Sequence, residues 1–148
     1  MDLGLKNKVA LVAGGSMGLG RAVALAMARE GARVAICALD DPSLPAAEKL
    51  LREETGAEVL AVAADVSDPL QATQFVRKAQ AHFGTVDILV NNAGGPPAMN
   101  FLEIDDDMWS SGFRLNLLST IVMTREVVPV MKEKRWGRII NMTSISVK

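Results

Sequence analysis

At 148 residues the chain fits one domain, long enough to bury a sizeable core. Its 49% hydrophobic and 22% charged residues are the balance of an ordinary water-facing protein, and a net charge of −1 offers no basic surface for nucleic acid. The single cysteine, Cys37, excludes a disulfide framework within the chain and reads as a buried thiol, as suits a reducing cytoplasm.

The N-terminal stretch MDLGLKNKVALVAGG enters a strand almost at once, without the apolar stretch and cleavage site of a secretory leader. The longest apolar helix face, between Arg21 and Arg29, is too short to span a bilayer. The expectation is a soluble, cytoplasmic chain with no membrane partner. KVALVAG, a nearly continuous apolar run at residues 8–14, predicts a first strand buried on both faces. A helix over residues 18–30 follows and stops at Gly31. ARVAICA is the second strand, SLPAAEKLLREETG a second helix closed by Gly56, and AEVLAVAAD the third strand.

Asp68-Pro69 opens a third helix, with proline in the first turn where its missing N–H costs nothing. Ala72, Phe75, Val76, Ala79 and Phe83 keep helical spacing, and Gly84 ends it. VDILVNN is the fourth strand. A long fourth helix runs from the acidic residues Asp105, Asp106 and Asp107, which suit a helix start better than metal ligation, to about Lys134. Pro129 should bend it. GRIINMTS is the fifth strand. His82, at the end of the third helix, reads as a partner of the helix dipole and not as a base.

This βαβαβαβαβ alternation argues an α/β fold: a Rossmann-like, doubly wound parallel sheet of order 3-2-1-4-5, truncated after the fifth strand. Residues 1–148 therefore read as one incomplete dinucleotide-binding domain. An apolar fifth strand left uncovered at the sheet edge is an aggregation liability, so further chain is expected to cover it.

Two loops carry the functional signal. In VALVAGGSMGLGRA, Gly14, Gly18 and Gly20 follow a strand and open a helix, with Ser16, Met17 and Leu19 between them. Glycine lets the backbone approach a pyrophosphate closely, and the helix start supplies free N–H groups and partial positive charge. The second loop ends the strand DILV in Asn91-Asn92-Ala93-Gly94-Gly95. Together the two loops closely resemble the short-chain dehydrogenase/reductase family.

That resemblance implies an NAD(P)-dependent oxidoreductase that transfers hydride between nicotinamide and a ketone or secondary alcohol. It places Gly14, Ser16, Met17, Gly18, Leu19 and Gly20 at the cofactor phosphates, Asp65 and Val66 at the adenine, and Asn92, Ala93 and Gly94 along the crevice. Asn116, seven residues after Trp109, would hold a water relay, and Ser144 would hydrogen-bond the substrate oxygen. Each also has a plainer reading: a loop aspartate, a helix asparagine bonded to backbone, a serine at a strand end. The family usually begins the glycine motif with threonine, where this chain has Ala13, so a brace of the turn is absent.

After the second strand stand Ala38 and Leu39, then Asp40 and Asp41, and Met17 precedes Gly18. With no cation there to meet a 2′-phosphate, NAD is expected over NADP. No metal-ligand spacing occurs. The family's catalytic tyrosine and lysine would lie beyond Lys148, which cannot be taken for that lysine because the chain has no tyrosine. A non-catalytic dinucleotide-binding module or inactive fragment is therefore the alternative. A methyltransferase with a nucleotide fold is disfavoured by the two loops together. The resemblance also implies a small-molecule substrate and a homo-oligomer formed through the long fourth helix, with weak stability or abnormal association for this chain alone.

Overall fold

The computed structural model describes residues 3–95 and 99–144; Pro96, Pro97 and Lys148 lie outside them. Five strands form one parallel sheet, β1 (Val9–Ala13), β2 (Arg33–Ala38), β3 (Val59–Ala63), β4 (Ile88–Asn91) and β5 (Arg138–Asn141), in the order β3-β2-β1-β4-β5. The order matches the sequence expectation. Its centre is β1, paired with β2 in the register Val9 to Arg33 and with β4 in the register Ala10 to Ile88.

Every residue of β1 is fully buried, and the strand's period of two divides them between the faces. Val9, Leu11 and Ala13 join one core cluster with Phe75, Val76 and Ala79 of α3 (Pro69–Phe83) and Val122, Met123 and Val127 of α5 (Ser119–Glu133). Ala10 and Val12 join the other with Ala24 and Ala28 of α1 (Gly18–Arg29) and Leu44, Ala47 and Leu51 of α2 (Ser43–Thr55). Helices on both faces explain why β1 reads as an unbroken apolar run.

The helix ends follow local chemistry. Gly56 and Gly84 close α2 and α3 in the left-handed conformation, at φ 66° and 78°. The Asp68 carboxylate accepts from the Leu70 N–H at 2.8 Å to start α3, and Asp105 accepts from the Met108 N–H at 2.8 Å to start α4 (Asp106–Phe113). The backbone N–H of Val9 donates to the buried Asp87 carboxylate at 2.8 Å, while Lys134 Nζ, from beyond α5, reaches its other oxygen at 2.5 Å. That pair ties the starts of β1 and β4 to the end of α5.

The expected long helix runs without a break from Asp106 to Glu133, but its hydrogen-bond pattern is not uniform. Arg114–Leu118 is a π-helical turn between α4 and α5. Side chains inside the run compete for its carbonyls: Ser119 Oγ donates to Leu115 O, and Thr120 Oγ1 donates to Asn116 O at 3.0 Å. Pro129 sits within α5, which continues through it.

Candidate dinucleotide crevice

The β1–α1 turn is built by glycines that do different work. Gly14 turns the chain at φ 62°, and a Cβ there would stand 2.3 Å from the Asn92 carbonyl oxygen. A Cβ on Gly20 would stand 2.0 Å from the Gly14 carbonyl oxygen. Both positions are packed too closely for any side chain, because α1 and the end of β4 meet the turn backbone to backbone. Asn92 Nδ2 locks that contact by donating to the carbonyls of Ala13 and Gly14 at 3.3 and 3.4 Å. Gly18 differs: it holds φ 54° and its Cβ position is open.

At this turn α1 begins without a side-chain cap, since Met17 occupies the N-cap. Its first N–H groups therefore have no side-chain acceptor, and they carry the positive end of the helix dipole. Ser16 is buried beneath the turn while Met17 and Leu19 are exposed around it. This is a cradle that an anionic group can enter.

The turn lines one side of a cavity of about 850 Å³ at the C-terminal ends of the strands. Asp65 and Val66 line it after β3, and Asn92, Ala93 and Gly94 after β4. Leu39 and Asp41 line it after β2, and Arg114 and Leu115 from the π-helical turn. The structure thus gathers Gly14, Ser16, Met17, Leu19, Asp65, Val66, Asn92, Ala93 and Gly94 around one space, with Gly18 and Gly20 in the first turn of α1 beside it. Cys37 also touches it, but burial pushes its thiol pKa up to about 12, despite an opposing backbone hydrogen bond from Gly14. The thiol is inert as a nucleophile at neutral pH.

Asp65 serves its own loop. Its Oδ1 accepts from the backbone N–H of Ser67 at 2.9 Å and from Ser67 Oγ at 2.7 Å. Among the described residues no donor is bonded to its Oδ2, and Asp65 lines the cavity. Asp41 is held by Ser43, whose N–H donates to it at 2.7 Å, and hydrogen bonds from Ser43 keep its carboxyl below the usual range. A carboxylate therefore stands beside Leu39 at the end of β2.

Asn116 lies in the π-helical turn and is exposed, with Nδ2 donating to Gly112 O at 3.1 Å. It lines a second cavity, of about 1120 Å³, which adjoins the first at Gly95, Ser111 and Leu115. Ser144 is exposed beyond β5 and lines neither cavity. His82 is in the last turn of α3, as expected of a dipole partner, and its Nε2 also lies 3.0 Å from the Glu58 carboxylate. Among the described residues no group of His, Cys, Asp or Glu could hold a metal ion. No described helix is long and apolar enough to cross a membrane.

Sequence reasoning missed Arg114 and Leu115 as crevice residues. The available signal was helical spacing: Ser111, Arg114 and Leu115 stand at i, i+3 and i+4, so they share a helix face.

Comparison with known proteins agrees with this geometry. The sequence model of the short chain dehydrogenase family matches residues 8–148. A protein named as a ketoacyl reductase of the granaticin polyketide synthase, from Streptomyces violaceoruber, is 43% identical over 95% of this chain and 52% of its own length. The short chain dehydrogenase/reductase dpmpG of Macrophomina phaseolina is 37% identical over 97% of this chain and 84% of its own. L-sorbose reductase from Gluconobacter frateurii, solved with NADPH and L-sorbose, superposes with a TM-score of 0.94 at 36% identity. That match covers 98% of this chain and 55% of the reductase. The chain spans about half the length of the first curated relatives it matches.

Proposed function

Because the chain belongs to the short chain dehydrogenase family, we propose that it forms the nicotinamide-dinucleotide site of an oxidoreductase acting on a ketone or secondary alcohol. The observation that carries this reading is the single crevice shared by the glycine turn, the end of β3 and the end of β4. When bound there, the nicotinamide supplies or accepts hydride. Gly14, Ser16, Met17, Gly18, Leu19 and Gly20 hold the pyrophosphate at the uncapped start of α1. Asp65 Oδ2 accepts from the adenine amino group, and Val66 packs against the ring. Asn92 holds the turn and β4 together, so that Ala93 and Gly94 line the crevice at a fixed distance from α1.

Asn116 and Ser144 are proposed to orient a proton-relaying water and the substrate oxygen. A serine hydroxyl is a poor proton donor at neutral pH, and the 148 residues hold no tyrosine. Hydride transfer is accordingly proposed for the whole protein and dinucleotide binding for this chain.

NAD is proposed over NADP. The Asp41 carboxylate lines the crevice beside Leu39, where a 2′-phosphate would bring a second negative charge. L-sorbose reductase, by contrast, was solved with NADPH. Fluorescence titration of the chain with NADH and NADPH at equal salt tests both points. Saturable binding with NADH tighter supports them; tighter NADPH overturns the preference, and no binding by folded protein overturns the site.

A further inference from the structure

Among the described residues that line the crevice Arg114 is the only cation, and Asp41 and Asp65 are the carboxylates. It begins the π-helical turn and is exposed. Its guanidinium lines the crevice and makes no hydrogen bond and no ion pair within 4 Å among the described residues.

The charge of Arg114 is felt at Asp68, the residue that starts α3 just after Asp65 and Val66. Its head group therefore lies near the corner where β3 leads into α3, two strands away from the glycine turn after β1. That corner is where the dinucleotide reading seats the adenine. We propose that Arg114 is an adenine-binding residue, its planar guanidinium stacking on the purine face while Leu115 packs beside it. The proposal rests on the dinucleotide reading of the crevice. A guanidinium is planar and weakly hydrated, so it stacks on flat π systems better than an ammonium does. The nearby Asp68 carboxylate offsets part of its charge, which suits contact with a neutral base more than capture of a phosphate.

The test is equilibrium binding of adenosine, 5′-AMP, nicotinamide mononucleotide and NADH to the wild-type chain, Arg114→Ala and Arg114→Lys, with circular dichroism to verify folding. Arg114→Ala is expected to weaken adenosine, 5′-AMP and NADH by about three- to thirtyfold, the range of a cation–π contact, and to leave the mononucleotide unchanged. Arg114→Lys should recover only part of the loss. Equal adenosine binding by wild type and Arg114→Ala overturns the proposal while NADH binding upholds the crevice. A loss confined to 5′-AMP and fully rescued by lysine makes Arg114 a phosphate contact and also overturns it. Failure of folded wild type to bind NADH removes the underlying reading, and the proposal with it.

Discussion

Gly18 and Gly20 are two positions apart in one motif, yet a methyl group would meet a different obstacle at each. At Gly20 the added Cβ would stand 2.0 Å from the Gly14 carbonyl oxygen, so the turn and α1 must separate. At Gly18 the space is open and the cost is the positive φ of 54° alone. Gly18→Ala is expected to lower stability by about 1–2 kcal/mol, and Gly20→Ala by about 3 kcal/mol, the upper end of overpacking. Urea unfolding of the two variants checks the order; equal losses would show that the turn relaxes around Gly20. The spacing of the glycines is visible in the sequence. Which glycine is needed for packing and which for its dihedral angle depends on how the fold seats α1 against the Gly14 carbonyl and against Asn92, a residue 72 positions after Gly20.

Among the elements, α3 shows how a single terminal residue sets a pH response. Hydrogen bonds from the Gln71 side chain and the Leu70 N–H, with a smaller contribution from Arg114, hold the Asp68 carboxyl below its usual value of 3.8. A carboxyl whose pKa is lowered by folding stabilises the native state above 3.8, and that contribution is lost as pH falls through the folded value. Asp68→Asn should therefore narrow its stability gap to wild type as pH drops below 3.8, read as the difference in Tm across an acid series. A gap independent of pH would mean that the carboxylate charge contributes nothing. The start of this helix was legible because aspartate followed by proline carries its own capping chemistry. The π-helical turn was not, because its cause is competition by Ser119 and Thr120 for carbonyls within a run that otherwise has helical periodicity. The same gap hid Arg114 and Leu115: without the helix placed against the crevice, its polar face looks like a solvated one.

At the scale of the whole molecule, the two edges of the sheet are protected unequally. Beside β3, Arg52 donates to the Val59 carbonyl, and Glu58 pairs with His82, so charged groups crowd the outer strand. On the other edge all four residues of β5 are exposed, with Ile140 at 41%, and Met142 follows. Trp109, Phe113, Leu117 and Ile121 add exposed apolar surface along α4, the π-helical turn and α5. Unpaired backbone groups beside apolar side chains form a template for another chain. The 148-residue chain is expected to self-associate as concentration rises, with β5 as the first contact. Ile140→Lys should shift sedimentation toward monomer without lowering the thermal midpoint by more than a degree or two, since an exposed side chain contributes little to stability. Unchanged association in Ile140→Lys would move the contact to the helical face, where Ile121→Glu repeats the test and addresses the homo-oligomer proposed for the long helix. Wild type that stays monomeric at every concentration would mean that both apolar surfaces are stable in water.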